Sequence, residues 1–313
     1  MKTLILTHKA DIDGLSPVIF LKLLRDDLDV ILLNANDINS KIQEIIKNKS
    51  YKKYDEIYIT DLTLDTKSCD LIMSTKDQDK FHTFDHHAFD LSANNYSFGC
   101  AVSKNEDGVN ECATSLFYKY LVSLYPETFD NNCIKEYTEL VRLNDTWDWS
   151  ITNNLDAKNL SDLHSIIGKD KYIETYLNFF KENTEKFYYT DSQKMLLEVE
   201  EARIQRYLED TEKTMFHATL FGKRCGIVFA ESHRSILGNY LVNKYSHLID
   251  YVVIINMQQG ISFRSRSEDI DVSEIASFYG GGGHIKASGA PMDNMLKKEV
   301  IKLILNDSAM FNK

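Results

Sequence analysis

The chain has 313 residues, with 36 Lys and Arg against 47 Asp and Glu and a formal net charge of −11 at pH 7. With 43% hydrophobic and 11% aromatic residues and only three prolines, it has ample material for packed cores, which excludes a disordered or low-complexity protein, and its length suits about two domains. The acidic balance argues against a sequence-independent binder of long nucleic acid, which draws affinity from counterion release on a basic surface, and leaves room for a short anionic substrate held by metal ions.

The longest apolar runs, such as residues 251–255, are too brief to cross a bilayer, and the N-terminus enters a strand-like segment at once, so no signal peptide is expected. Cys69, Cys100, Cys112, Cys133 and Cys225 form no C-x-x-C pair. Their odd number and scatter predict reduced thiols in the cytoplasm rather than a disulfide framework or a zinc knuckle.

In chain order, residues 3–7 read as a strand, and Ser16-Pro17 as the N-cap and first-turn proline of a helix over 18–24. Further strands are expected at 28–33, 56–60 and 80–84, with a helix over 40–49. This alternation predicts a parallel sheet covered on both faces. Residues 111–190 read as mostly helical, and 191–214 as a connecting helix with Leu197, Ile204, Leu208 and Met215 roughly on one face. Strands then recur at 218–221, 225–230, 251–256 and 261–266, with a helix over 235–245. The expected fold class is α/β: a parallel-sheet domain over 1–190, a helical connector over 191–215 and a smaller α/β substrate-binding domain over 216–313.

Acidic and imidazole side chains sit at the ends of these strands. His8, Asp11 and Asp13 follow the first, Asp61 the third, and Asp85-His86-His87 the fourth. In a parallel sheet the carboxyl ends of the strands open on one crevice. A mixed carboxylate and imidazole set suits a divalent transition ion such as Mn²⁺ better than Ca²⁺, and a carboxylate such as Asp61 can bridge two ions in a site that hydrolyses phosphate esters. Taken singly, each residue has a plainer reading: a cap, a polar loop, or in Asp13-Gly14 a common turn dipeptide. Three strand ends coinciding is what favours a site.

The order His8-x-x-Asp11-x-Asp13-Gly14, Asp61, Phe84-Asp85-His86-His87 and Asn144-Asp145-Thr146-Trp147 resembles the motifs of the DHH phosphoesterase superfamily, which includes RecJ-type exonucleases, nanoRNases, cyclic-dinucleotide phosphodiesterases and family II pyrophosphatases. The resemblance implies that His8, Asp11 and Asp61 hold one ion and Asp13, Asp61, His86 and Asp145 a second, with Asp61 bridging. It makes His87 face the phosphate and Asp85 orient a neighbour. Asp145 is preferred to Asp148 as the last ligand. The two tryptophans, Trp147 and Trp149, are expected to wall and support the site rather than stack a base.

In the second domain, Gly280 to Gly283 precede His284, and a glycine run lets backbone N–H groups approach an anion, although such runs are often plain loops. Arg264 and Arg266 are two apart on a strand and share a face. The segments 262–266, 271–276, 280–284 and 287–289 resemble the DHH-associated C-terminal domain, and His233-Arg234-Ser235-Ile-Leu-Gly238-Asn239 looks like a further family segment. The resemblance implies that Arg264, Gly281, Gly282, Gly283 and His284, with Arg266 and Ser235 as weaker candidates, bind the nucleotide across a cleft from the metals. Ser235 has a helix cap as its alternative.

The function implied is that of B-type oligoribonucleases: a Mn²⁺-dependent phosphodiesterase, with Mg²⁺ as a substitute, that degrades short RNA oligonucleotides to 5′-mononucleotides in the cytoplasm. A grip on the terminal nucleotide would limit cutting to the chain end, and the acidic surface would disfavour long strands. The alternatives are an adenosine bisphosphate phosphatase, a phosphodiesterase of linear or cyclic dinucleotides, and a non-hydrolysing nucleotide sensor. Neither a membrane partner nor a stable complex with long nucleic acid is expected, and a homodimer is compatible with all of these.

Overall fold

The computed structural model describes residues 1–87 and 92–305. The chain divides into two compact units, Met1–Leu197 and Glu198–Lys313.

The first unit begins with β1 (Thr3–His8), α1 (Ile12–Leu24), β2 (Leu28–Leu33), α2 (Ile38–Lys47), β3 (Glu56–Thr60), α3 (Thr66–Met73) and β4 (Phe81–Phe84). The strands form an all-parallel sheet in the order β2-β1-β3-β4. Both faces are covered, which explains the unbroken apolar runs. Leu4 and Leu6 of β1 and Ile57 and Ile59 of β3 face α2 and α3, while Ile5 and Tyr58 between them point to the opposite layer. That layer is α1 together with α4 (Ala113–Leu124), α5 (Pro126–Phe129), α6 (Asn132–Asp145), α7 (Asp148–Thr152), α8 (Leu155–Ile167) and α9 (Lys169–Glu182). Deep in it, the Tyr137 hydroxyl of α6 meets Ser16 Oγ of α1 at 2.8 Å and Tyr172 of α9 at 2.9 Å.

The start of α1 differs from the expectation of a cap at Ser16-Pro17. The helix starts five residues earlier, capped by Asp11, and Pro17 and the Asp13-Gly14 pair lie inside it. Proline in a helix removes the N–H that would bond the carbonyl four residues back. Here that carbonyl belongs to Asp13, and Thr114 Oγ1 of α4 donates to it at 2.8 Å. The helix tolerates Pro17 because a residue 101 positions from Asp13 replaces the lost donor.

α10 (Asp191–Glu212) runs across the division between the units. The second unit continues with β5 (Phe216–Leu220), β6 (Lys223–Phe229), α11 (Arg234–Lys244), β7 (Tyr251–Asn256), β8 (Gly260–Ser265), α12 (Val272–Phe278), β9 (Gly282–His284), β10 (Ala287–Ala290) and α13 (Asn294–Leu305). Its mixed sheet has the order β5-β6-β7-β8-β10-β9, with β6 and β7 parallel and the other neighbours antiparallel. Val252 and Ile254 of β7 pack under α11 with Leu208 of α10, and Tyr251, Val253 and Phe263 pack under α12. Among the described residues no helix is long and apolar enough to cross a membrane.

Candidate metal centre

Three strand ends and one helix end converge at the carboxyl edge of the parallel sheet. Thr60 Oγ1 donates to Thr7 Oγ1 at 2.7 Å, and Thr7 donates on to the Gly14 carbonyl at 2.7 Å, tying the tips of β1 and β3 to the first turn of α1. Gly14 has to be glycine, since a Cβ there would lie 2.1 Å from the His8 carbonyl oxygen. Asp11 caps the helix through Oδ1, which accepts the Gly14 N–H at 3.0 Å, and its Oδ2 lies 2.9 Å from His8 Nδ1.

Asp61 leaves β3 with φ +55°, a left-handed conformation that Asp reaches more easily than most residues. This sets its carboxylate between two imidazoles, with His8 Nδ1 3.3 Å from Oδ2 and His86 Nε2 3.5 Å from Oδ1. His86 Nε2 also lies 3.3 Å from Asp145 Oδ2 and 3.8 Å from Asp13 Oδ2. Asp13 is wholly buried, and its two oxygens accept the Ala113 and Thr114 N–H groups at 2.8 and 2.7 Å. The first turn of α4 thus steadies this carboxylate with both hydrogen bonds and its helix dipole. Ligand-capable atoms gather into three overlapping groups, each within 4.8 Å: His8, Asp11 and Asp61; Asp13, His86 and Asp145; Asp61, His86 and His87. The structure therefore brings together all six ligands expected from the sequence and sets His87 beside them.

The electrostatics follow from crowding carboxylates in a buried place. The hydrogen bond to Asp61 raises His8 to about 9, helped by Asp11 and against partial burial. Burial alone would lower His86, but Asp61, Asp13 and Asp145 hold it at about 9. Burial and the Asp61 charge push Asp13 up to about 6, and burial with the Asp13 charge pushes Asp145 up to about 8. Burial also works to raise Asp61, yet the hydrogen bonds from His8 and His86 outweigh it and keep its carboxyl below the usual range. Protons are thus drawn in to balance the negative charge. Asp61 Oδ2, His86 Nε2 and Asp145 Oδ2 are buried, and among the described residues they face only the other side chains of this cluster, at 3.3 to 3.8 Å. Such oxygen and imidazole donors facing one centre fit divalent transition ions, whose charge would take over the part played by those protons.

Around this group, His87 Nδ1 lies 2.7 Å from Asp85 Oδ1, and the same oxygen accepts the His86 N–H at 2.9 Å. Thr63 Oγ1 donates to Asp85 Oδ2 at 2.6 Å. The Asp85 carboxylate so placed raises His87 above an ordinary imidazole. Asp148 is taken up by Arg142 Nη1 at 2.9 Å and Asn110 at 3.0 Å, which leaves Asp145 as the carboxylate turned toward His86. The tryptophans part ways: the Trp149 ring nitrogen is buried, whereas Trp147 takes φ +63° and is 65% exposed, so it does not wall the site.

In the second unit, Ser235 lies inside α11 rather than capping it, and its Oγ accepts from Arg264 Nη2 at 3.0 Å. Arg264 is half-buried on β8, whereas Arg266 follows Ser265, the last residue of that strand, and is exposed, so the two do not both lie on the strand as expected. The glycine run is not a free anion loop. The N–H groups of Gly280 and Gly281 close the end of α12 by donating to the carbonyls of Ser277 and Ala276, both at 2.9 Å, and Gly282, Gly283 and His284 form the edge strand β9 against β10. Among these glycines the Gly281 N–H is therefore already committed. Thr114, which holds Asp13, lies in no motif, and Arg234, inside the 233–239 segment, is not singled out by the sequence.

A parallel sheet with His and Asp side chains gathered at its strand ends, followed by a small mixed α/β unit, is the DHH-type phosphoesterase fold. No protein-family model matches the chain. It is 34% identical over 286 residues to oligoribonuclease NrnB of Bacillus subtilis (strain 168), covering 89% of this chain and 70% of that protein. Its fold is similar to the solved pGpG-specific phosphodiesterase PggH of Vibrio cholerae, at 15% identity, 98% coverage of each chain and a TM-score of 0.56. The chain belongs to the NrnB family of oligoribonucleases among the DHH phosphoesterases.

Proposed function

We propose that this chain is a two-metal hydrolase, Mn²⁺-dependent with Mg²⁺ as a substitute, that degrades short RNA oligonucleotides to 5′-mononucleotides. The observation that carries the reading is that two ligand groups, His8, Asp11 and Asp61 and then Asp13, His86 and Asp145, are joined through the neighbouring Asp61 and His86, whose buried ligand atoms face one another rather than other protein groups among the described residues. The relationship to an oligoribonuclease supports short RNA as the substrate class. Five scattered cysteines with no C-x-x-C pair support a reducing compartment such as the cytoplasm.

In this reading His8, Asp11 and Asp61 hold one cation and Asp13, Asp61, His86 and Asp145 the other. Bound there, divalent cations supply Lewis acidity and lower the pKa of water to roughly 7. Asp85 keeps the Nδ1 proton of His87 in place through the 2.7 Å contact, which leaves Nε2 as the working nitrogen. Raised above its ordinary range, the His87 imidazolium gives a proton to the departing ribose oxygen, which would otherwise leave as a strongly basic alkoxide. Arg264, Ser235 and His284 bind the nucleotide, with Gly282, Gly283 and Arg266 at the margin.

The test is turnover of dinucleotides, pentamers, long RNA, adenosine bisphosphate and pyrophosphate under one Mn²⁺ condition, by wild type and Asp61→Ala. Fastest release of mononucleotides from the short RNAs, lost in Asp61→Ala, is the expected result. Preference for adenosine bisphosphate or pyrophosphate would overturn the substrate; tight binding without turnover would make the chain a nucleotide sensor.

A further inference from the structure

α6 stops at Asp145, and two residues on, Trp147 opens α7 with φ +63° and ψ 8°. A left-handed backbone is strained for so bulky a side chain and persists only where the surroundings fix it. Here they do. Thr146 Oγ1 donates to the Arg142 carbonyl at 2.8 Å, the Trp147 N–H to the Asn144 carbonyl at 3.2 Å, and Ser150 Oγ to the Trp147 carbonyl at 2.9 Å. Asp148, held by Arg142 at 2.9 Å and Asn110 at 3.0 Å, pins the other side of the turn.

This rigid turn displays an aromatic surface. Trp147 is 65% exposed, and half-buried Trp149 meets it in an edge-to-face contact, with ring centroids 5.4 Å and planes 62° apart. Ile151, four residues on and so on the same side of the short helix, is also exposed. Leaving an indole and an isoleucine together in water is unfavourable, and a strained turn that does so has a use for the surface.

The position of Trp147 in the chain selects its occupant. It follows Asp145 by two residues, at most about 7 Å of backbone, and Asp145 Oδ2 lies 3.3 Å from His86 Nε2 in the proposed metal centre. In RNA the groups that flank a phosphate are nucleosides, whose bases carry flat apolar faces. A chain of net charge −11 is poorly suited to gaining affinity along a phosphate backbone. Stacking on an aromatic ring needs no charge and accepts every base, as an enzyme reducing mixed RNA to mononucleotides must.

We propose that Trp147, contrary to the expectation from the sequence, is a stacking platform for the base of a nucleoside flanking the scissile phosphate, with Trp149 bracing its ring. This rests on the reading of the chain as a short-RNA hydrolase, and it adds a substrate-binding residue of the first unit to that reading.

The experiment measures kcat and KM with Mn²⁺ for ApA and for its two analogues lacking one or the other adenine, using wild type, Trp147→Ala, Trp147→Tyr and Trp147→Gly. Glycine accepts positive φ without strain, so it preserves the turn should alanine disturb it, and thermal melting verifies folding. In wild type, loss of one particular base is expected to raise KM roughly tenfold, within what a single stacked base supplies. Trp147→Ala and Trp147→Gly should raise KM for ApA by a similar factor and become indifferent to that base, and Trp147→Tyr should recover most of the difference. A KM unchanged in both small variants, or raised by the same factor for all three substrates, overturns the inference. Trp149→Phe leaves Trp147 as the sole tryptophan; with Ca²⁺ in place of Mn²⁺, ApA should quench its emission and the analogue lacking the stacked base should not. Base-dependent quenching without hydrolysis counts against the proposed function alone; hydrolysis with neither a base-dependent KM nor quenching counts against this inference alone.

Discussion

Thr114 Oγ1 donates to the carbonyl of Asp13, 2.8 Å away, which Pro17 has left without a helical donor. The same residue gives its N–H to Asp13 Oδ1, so one threonine restrains both ends of a wholly buried proposed ligand. Thr114→Val keeps the shape and removes the hydroxyl, leaving a buried acceptor unsatisfied at a cost of about 1–3 kcal/mol. The expected outcome is a melting temperature several degrees below wild type, restored by Thr114→Ser; a valine variant that melts like wild type would remove this role.

Asp85 is expected to act through His87. In Asp85→Asn the carboxylate that raises the imidazole is gone, so its pKa falls toward the ordinary value. A group that works in its protonated form is active below its pKa, and the alkaline limb of the pH–rate profile should therefore move to lower pH. Loss of such an orienting partner costs roughly 10–100-fold in activity. Steady-state kinetics across pH reads both effects, and an unmoved limb would separate His87 from the proton transfer.

Gly238→Ala sets helix propensity against a contact. Propensity favours Ala by about 1 kcal/mol, while the new Cβ would press on Arg264 at 2.5 Å. The prediction is a KM for dinucleotides raised several-fold with kcat held within about twofold, the signature of lost uniform binding. An unaltered KM would mean that Arg264 shifts without consequence.

Glu212, in the second unit, gives an acid dependence of stability. Burial alone would raise its carboxyl, but hydrogen bonds from Lys244, Tyr240 and Tyr245 outweigh this and hold it at about 2. A carboxyl depressed in the folded state stabilises it fully above its ordinary value near 4.5 and loses that contribution as pH falls through about 2. Urea unfolding of wild type and Glu212→Gln should thus show a stability gap that is constant above pH 5 and shrinks between about pH 4.5 and 2. A gap independent of pH would assign the effect to packing.

The strands and the clustering of the candidate ligands were readable in the sequence for the same reason. Runs such as Thr3–His8 are apolar because both faces of the parallel sheet are covered, and the polar residues that end them fall at one edge by topology. The alternation of Ser262, Arg264 and buried Phe263 likewise marks the face of β8 that carries the arginine. What local patterns could not convey depends on distant partners. The start of α1 was hidden because Asp11 both caps and lies beside His8, and because the donor that lets Pro17 sit mid-helix comes from α4. The glycine run conceals a strand, since two of the three residues of β9 are glycines that give no strand pattern and the strand exists through its pairing with β10.

Five of the six proposed ligands, from His8 to His86, belong to the strand ends of the sheet, and the sixth, Asp145, terminates α6, which is otherwise anchored through Tyr137 to Ser16. As the polypeptide leaves the ribosome, the whole four-stranded sheet emerges before that helix is complete. A cation shared by Asp145 and His86 would then work as a staple between the layers, and its binding free energy would add to the resistance of the fold to heat and proteases in proportion to the logarithm of its free concentration.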